Sequence, residues 1–397
     1  MVSVNNVTPR QEKIENDSFR FRNDDVIILL GAGASVEAKL LASMDMTRKL
    51  EDYVSSSNPR GKWTKYKNLY KTVKSLILYG KHLTSSSVSE VCNEVNIEEF
   101  VNVLTELAKS EGHPIYPFIA NWNMDLVKYG GGGFENLKRF REDIVNELTR
   151  KWVNVNEDRD CDYFKGLYRY WEETKSNLRV FTLNYDMCVE RACGMEHVCR
   201  GFRQEQIEVD GEKVLRKVWS DEYMDDDYAK RSAIRLYKLH GSLDWRRDRK
   251  TRVLYYEDMP DPCDDIDEYQ LIFGTTYKLS YQDPFLFQVS ELRKYAAKAR
   301  LIIAVGYGFN DDHINEILGG ALTHNSDSKL ISVEYAATNK DEKINERRDS
   351  ISEKLKLGDT AKQKIDVLFD GAKKFLGEIL SRSFVEENLS QKGDSPF

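Results

Sequence analysis

Val26-Ile-Ile-Leu-Leu30 is an unbroken apolar run of strand length, and it stops at Gly31-Ala-Gly-Ala-Ser35 before a helix-compatible stretch. A strand with no polar alternation has no solvent face, so it must be covered on both sides, as strands of helix-flanked parallel sheets are. Strand signals return at Leu178 to Leu183, Ile234 to Leu239, Leu271 to Phe273, Leu301 to Val305 and Leu330 to Val333, several of them short and wholly apolar. Several of these runs are separated by more than a hairpin. They predict an α/β fold: a Rossmann-like, mostly parallel sheet with a helical insertion layer and a helical C-terminus.

Between the first and second runs the apolar period changes to that of helices. Asn96 followed by Glu99 has the form of a capping-box start, after which Ile97, Phe100, Val101, Leu104 and Leu107 share one face. Past Gly130 to Gly133, a second amphipathic helix carries Phe134, Leu137, Phe140, Ile144, Leu148 and Trp152. Val209-Asp-Gly-Glu212 reads as a hairpin turn and Trp245 to Tyr256 as a second hairpin, both ornaments on the main sheet. The expected organisation is one elaborated domain: a lead-in over 1–25, a helical insertion over 37–172, the rest of the core over 173–335, and a helical extension and tail over 336–397.

Composition narrows the function classes. With 41% hydrophobic and 31% charged residues, the chain has enough for a core and a well-solvated surface. No apolar run reaches the roughly 20 residues of a spanning helix, and the polar N-terminus does not resemble a signal peptide, so a cytoplasmic protein without a membrane partner is expected. A net charge of -7 makes direct nucleic-acid binding a poor default. Six cysteines form no Cys-x-x-Cys pair, and Cys188, Cys193, Cys199 and His197 match no common zinc spacing. The acidic runs Asp225 to Asp227 and Asp258 to Glu268 read as solvated loops, so no metal is expected.

Four apolar runs end in polar or glycine-rich tips, where open parallel sheets bind ligands. At Gly31-Ala32-Gly33 the backbone can approach a pyrophosphate, although a tight strand-to-helix turn also needs glycine for steric reasons alone. Phe181-Thr-Leu-Asn184-Tyr-Asp186 offers an amide and a carboxylate at alternate positions, which can address one molecule or simply cap the next helix. Tyr237-Lys-Leu-His240-Gly-Ser242 ends in a histidine able to move a proton near neutral pH. Ala304-Val-Gly306-Tyr307-Gly308-Phe-Asn310-Asp-Asp312-His313 places glycines and polar groups at the same expected edge.

Taken in this order and spacing, Gly-Ala-Gly-x-Ser, Thr-x-Asn-x-Asp, Lys-Leu-His-Gly-Ser and Gly-Tyr-Gly-Phe-x-Asp-x-His-Ile resemble the sirtuin-like NAD hydrolases of bacterial anti-phage defence, over residues 26 to about 335. Leu236 to Leu243, Gly306 to Asn315 and the terminal Pro396-Phe397 further resemble the sirtuin-like subunit encoded beside a HerA-type hexameric ATPase. The resemblance implies a single sirtuin-like domain with NAD as substrate, cleaved to nicotinamide and ADP-ribose. It implies catalytic roles for Asn184 and His240, with Asp186 in support, and nucleotide contacts from Gly31, Ala32, Gly33, Ser35, Gly306, Tyr307, Gly308, Asn310, Asp312 and His313. It also implies a homo-oligomer and a HerA-type ATPase partner.

Departures bear on the reaction. Sirtuin deacetylases carry a four-cysteine zinc module and an Ile-Pro-Asp-Phe-Arg stretch after the glycine turn, and this chain has neither; Val36-Glu-Ala-Lys-Leu40 stands there instead. Water is then the expected nucleophile rather than an acyl-lysine. The rival reading is a catalytically weak NAD or ADP-ribose sensor that scaffolds the same assembly; a deacylase and a metal-dependent nuclease have less in the sequence to support them.

Overall fold

The computed structural model describes residues 24–84, 94–108, 124–209, 211–225, 229, 231–248, 250–257, 269–272, 282–335 and 340–390. In chain order the strands are β1 (Val26–Leu30), β2 (Leu178–Thr182), β3 (Val198–Cys199), β4 (Phe202–Val209), β5 (Glu212–Trp219) and β6 (Ile234–Lys238). They continue as β7 (Gly241–Arg247), β8 (Leu254–Tyr256), β9 (Tyr269–Leu271), β10 (Leu301–Val305), β11 (Lys329–Val333) and β12 (Ile365–Leu368). Seven of them form a parallel sheet in the order β12-β11-β10-β1-β2-β6-β3.

The apolar runs do what an all-buried strand requires. Every residue of β1, β2, β6 and β10 is buried. Alternate side chains serve opposite faces. Ile28, Leu30, Val180, Leu236, Ile303 and Val305 pack with Phe164, Leu167, Tyr170 and the C-terminal Phe375 and Leu376. Ile27, Leu29, Phe181, Tyr237 and Ile302 pack with Leu292, Leu318, Leu322 and Ile351 from the helices of the other face. Register aligns the carboxyl ends: Leu30 lies opposite both Val305 and Thr182, and Thr182 lies opposite Lys238.

The helical insertion has a core of its own. Asn96 caps the Ile97–Leu107 helix, its side chain accepting from the Glu99 amide at 2.7 Å, and the five expected apolar residues of that helix are all buried. Phe134, Leu137, Phe140, Ile144, Leu148 and Trp152 are buried along the Glu135–Glu147 helix and the π turn Leu148–Trp152. This cluster also takes in Tyr185 and Leu243, one from the loop after β2 and one from β7.

Three expectations need correction. The hairpins at 209–212 and 245–256 are not ornaments: β4-β5-β8-β7-β9 is a second, antiparallel sheet. The run at Leu271 was expected in the parallel sheet, yet β9 pairs antiparallel with β7, because a three-residue apolar strand carries no sign of its direction; Phe273 lies outside the described residues. The C-terminal region is not wholly helical either. β12 adds a seventh parallel strand through Leu330 opposite Ile365, and its four residues sit between helical segments too closely for periodicity to reveal them. Of the two acidic runs only Asp225 is described, and the Pro396-Phe397 end also lies outside the described residues.

Gly166, in the Lys165–Thr174 helix, is where that helix meets the C-terminal segment: a Cβ there would lie 1.6 Å from the Leu376 carbonyl oxygen. Overpacking of this kind costs about 1–3 kcal/mol. Gly166→Ala is therefore expected to lower the melting temperature by several degrees. Gly320→Ala, at a helical position with nothing within 4 Å, should leave it unchanged or raise it slightly by helix propensity. Equal melting of the two variants would contradict this packing.

Candidate active site

The strand order runs outward from β1 in both directions, with β10 on one side and β2 on the other, so the crevice expected of an open α/β sheet lies at their carboxyl ends. There the loops after β1 and β10 meet backbone to backbone. The Gly31 amide donates to Val305 O at 3.0 Å and the Gly33 amide to Gly306 O at 2.9 Å. A Cβ on Gly31 would fall 2.6 Å from Gly306 O, and one on Gly306, which has φ +61°, would fall 2.1 Å from the Ala34 nitrogen. Close packing therefore accounts for Gly31, Gly33 and Gly306. Ala32 is exposed at the start of the seven-residue 3-10 helix Ala32–Ala38, whose Ala34 amide is already bonded to Gly31 O.

Asn184, Asp186 and Ser35 form one buried chain of hydrogen bonds. Asn184 Nδ2 donates to Gly31 O at 2.9 Å and to Ser35 Oγ at 3.0 Å, while Ser35 Oγ donates to Asp186 Oδ2 at 2.7 Å. The other Asp186 oxygen accepts from the Cys188 amide at 3.0 Å, at the start of the Cys188–Cys193 helix. Asp186 thus bonds the first amide of that helix from outside its N-cap, Met187, and Asn184 does not contact it. The Gly31 carbonyl can only accept, which fixes the Asn184 amide with its NH2 toward the glycine turn. Both amide hydrogens are thereby used, and Oδ1 remains as the group with which Asn184 can meet a ligand.

His240 lies two residues beyond Lys238, as Asn184 lies two beyond Thr182, its partner in the β2–β6 register. Its backbone is held where the chain leaves one sheet for the other: Leu239 N donates to Thr182 O, Ile272 N donates to His240 O, and Gly241 turns with φ +92°. The ring is buried. Nε2 stands 3.3 Å from Asp311 Oδ2, and Nδ1 has no hydrogen-bond partner among the described residues. Asp311 is the Asp of the Gly-Tyr-Gly-Phe-x-Asp-x-His-Ile motif, but the contacts expected from that loop were Asn310, Asp312 and His313. It is the N-cap of the Asp312–His324 helix, its Oδ1 accepting from the His313 and Ile314 amides at 3.2 and 3.4 Å. The available signal was an Asp directly before an apolar helical period.

The rest of that loop is spent on internal contacts. The Tyr307 hydroxyl donates to Asn315 Oδ1 at 2.8 Å, and burial pushes its pKa far above the usual tyrosine range. Lys354 reaches across to Gly308 O and Asn310 Oδ1 at 3.0 and 2.7 Å. Asp312 is exposed and His313 half-buried in the first turn of the helix.

Beneath the Asn184–Asp186 loop sits a knot of four buried charges that the sequence did not disclose. Lys238 Nζ donates to the Asp186 carbonyl and lies 3.2 Å from Glu190 Oε1. The same Glu190 oxygen takes Arg200 Nη1 at 3.3 Å, and that nitrogen also donates to Asp244 Oδ2 at 2.7 Å. Burial opposes both charges of the Arg200–Asp244 pair. Even so, Asp244 and Glu190 hold the Arg200 guanidinium above its ordinary range, while Arg200 and Lys238 hold the Asp244 carboxyl below its own. Among the described residues no group of three or more His, Cys, Asp or Glu side chains could hold a metal ion. Cys193 and Cys199 are occupied separately, by the Phe164 and Tyr223 carbonyls.

Residues 178–358 match the family model described as a SIR2-like domain, a span that takes in Asn184, Asp186, His240 and Gly306 to His313. No curated protein matches the chain. Among solved structures, a Sir2 homolog–NAD complex is similar at 13% identity, with 91% of this chain and 90% of that chain covered and a TM-score of 0.39. A structure of Sir2 bound to acetylated peptide is similar at 14% identity, covering 92% of this chain and 94% of that one, with a TM-score of 0.35. Likenesses of this size add nothing to the reading of the site.

Removing one partner of a buried ion pair typically costs about 3–5 kcal/mol. Lys238→Met should therefore shift urea unfolding by that amount, and a loss below about 1 kcal/mol would show the knot to be dispensable. Because the folded Asp244 is held below its ordinary value, its contribution to stability is whole above the carboxylate range and is lost as pH falls through the lowered value. Asp244→Asn should flatten the acid limb of the stability–pH curve.

Proposed function

We propose that the chain is an NAD glycohydrolase that cleaves the bond between nicotinamide and ribose. The observation that carries this reading is the side-by-side placement of Asn184 and His240 at the carboxyl ends of β2 and β6, beside the packed β1 and β10 loops. The SIR2-like match over that stretch supports a site for NAD.

The chemistry follows from charge. In NAD the nicotinamide ring nitrogen is cationic, so the glycosidic bond breaks with its electron pair going to nicotinamide, and the ribose C1′ is left oxocarbenium-like. Fixed dipoles and a water held in place lower that barrier because they meet charge as it develops. Asn184 Oδ1, the acceptor left over from the glycine turn, orients the water or a ribose hydroxyl. His240 accepts the proton as the water oxygen bonds to C1′, giving ADP-ribose, nicotinamide and a proton. Asp186 has both oxygens engaged by Ser35 and Cys188, which suits a supporting role. Hydrolysis rather than transfer to acyl-lysine is supported by the sequence, which has no Cys-x-x-Cys pair for the deacetylase zinc module.

The same reading places the enzyme in the cytoplasm, in NAD depletion during anti-phage defence, and in a homo-oligomer restrained or triggered by a HerA-type ATPase. That part rests on the sequence motifs alone. No helix among the described residues is long and apolar enough to cross a membrane.

Purified chain incubated with NAD, alone and with the ATPase, should release nicotinamide and ADP-ribose. A positioned acid–base group contributes roughly 10²–10⁴-fold, so His240→Ala should lose at least about 100-fold, and Asn184→Ala a comparable amount, with folding intact. Binding of NAD without turnover in both settings would replace hydrolysis with the sensor and scaffold reading.

A further inference from the structure

We propose that Asp311 is a positioning residue that holds His240 in the tautomer protonated on Nε2, leaving Nδ1 as the nitrogen that takes the proton from water. The proposal rests on the hydrolase reading for its catalytic consequence, but not for its claim about the ring.

The contact favours one arrangement. Asp311 Oδ2 is 3.3 Å from His240 Nε2, with both side chains about 5% exposed. A carboxylate oxygen is an acceptor and negatively charged, so it favours the hydrogen on the nitrogen facing it. A half-turn of the ring would exchange that contact for a carbon. The carboxylate cannot swing aside to suit the ring, because Oδ1 accepts from the His313 and Ile314 amides. Those bonds belong to the N-terminus of a 13-residue helix, where negative charge is favoured. On the histidine side the backbone is fixed by Ile272 N bonding to His240 O at 3.0 Å. What remains is Nδ1, buried and without a partner among the described residues, and an unmet buried acceptor is costly enough to need an occupant.

In the reaction the water O–H bond breaks toward Nδ1 while its oxygen bonds to C1′, and the glycosidic electron pair leaves with nicotinamide. The imidazolium so formed stands against the Asp311 carboxylate, which offsets its charge until the proton passes to solvent. One aspartate therefore serves both the helix and the base, and this links the loop after β10 to the tip of β6.

Two substitutions keep the cap and remove the carboxylate, since Asn and Ser are both good N-caps. Asp311→Asn turns an amide toward the ring and should favour the opposite tautomer; Asp311→Ser should leave the ring a mixture. The readout is the pair of 15N shifts of the His240 imidazole at alkaline pH, assigned by their loss in His240→Gln, alongside kcat and KM for NAD. Expected are an Nε2–H signature in the wild type and an Nδ1–H signature in Asp311→Asn. For Asp311→Asn, kcat should fall about 10²–10⁴-fold while KM changes less than about threefold. A merely structural aspartate would not move the tautomer signature. An Nδ1–H wild type, or an unaltered signature in both folded variants, overturns the proposal. An Nε2–H wild type that switches in Asp311→Asn, in a chain that never cleaves NAD, sustains the assignment of the ring and removes only the hydrolase reading. If the Asn variant does not fold, the Ser variant decides: loss of the single Nε2–H signature supports the proposal and its retention ends it.

Discussion

The buried charges of Lys238, Glu190, Arg200 and Asp244 constrain the whole arrangement around them. Moving an ion out of water costs several kcal/mol even after relaxation, so four of them persist only if each has an opposite charge in place. The knot satisfies this in a chain: one carboxylate oxygen of Glu190 is shared by Lys238 and Arg200, and Arg200 passes on to Asp244. Its members come from β6, the Cys188–Cys193 helix, the turn after β3, and β7, so neither sheet can move relative to that helix without stranding a charge. Lys238 also donates to the carbonyls of Tyr185 and Asp186, within the loop that carries Asn184. Electrostatic necessity in the interior thereby becomes positional accuracy at the crevice.

The opposite wall is set by steric necessity. Gly31 and Gly33 approach Gly306 so closely that a methyl group on any of them would strike backbone atoms. This contact brings the β1 and β10 loops together and offers the Gly31 carbonyl to Asn184, which in turn orients Ser35 and Asp186. Glycines in such turns are often read as making room for a phosphate. Here the room they make is first used by another strand's loop, and their effect on a ligand runs through the side chains that this contact aligns.

Legibility in the sequence followed the kind of information each element carries. Five of the seven parallel strands were legible because burial on both faces forces mostly apolar runs, and the insertion helices because burial on one face forces a 3.6-residue period. Strand direction was not, since pairing is a property of two segments; β9 looked like a core strand and joined the antiparallel sheet. β12 was hidden by brevity. Asn184, Asp186 and His240 were legible as polar tips on apolar strands. Asp311 stood in its loop's motif but was given no role, because a cap and a partner for a histidine 71 positions away look identical until the two loops meet. The ion knot was beyond reach for the same reason: Lys238 and Glu190 are unremarkable charges until the fold takes their water away.

The helical insertion is where the site meets the rest of the molecule. Its core includes Tyr185, flanked in sequence by Asn184 and Asp186, and Leu243, three residues past His240. Tyr185 is held at both ends: its hydroxyl donates to Ile272 O at 2.6 Å, and its carbonyl accepts from the Leu243 amide at 3.1 Å. Ile272 in turn bonds the His240 carbonyl, so the two loops and β9 close into one hydrogen-bonded circuit seated on the insertion's apolar face. Packed interiors transmit displacement because they have few voids to absorb it. A change in how the insertion helices pack would therefore arrive at Tyr185 and Leu243 before it reached any exposed surface of the crevice, and would move Asn184 and His240 together.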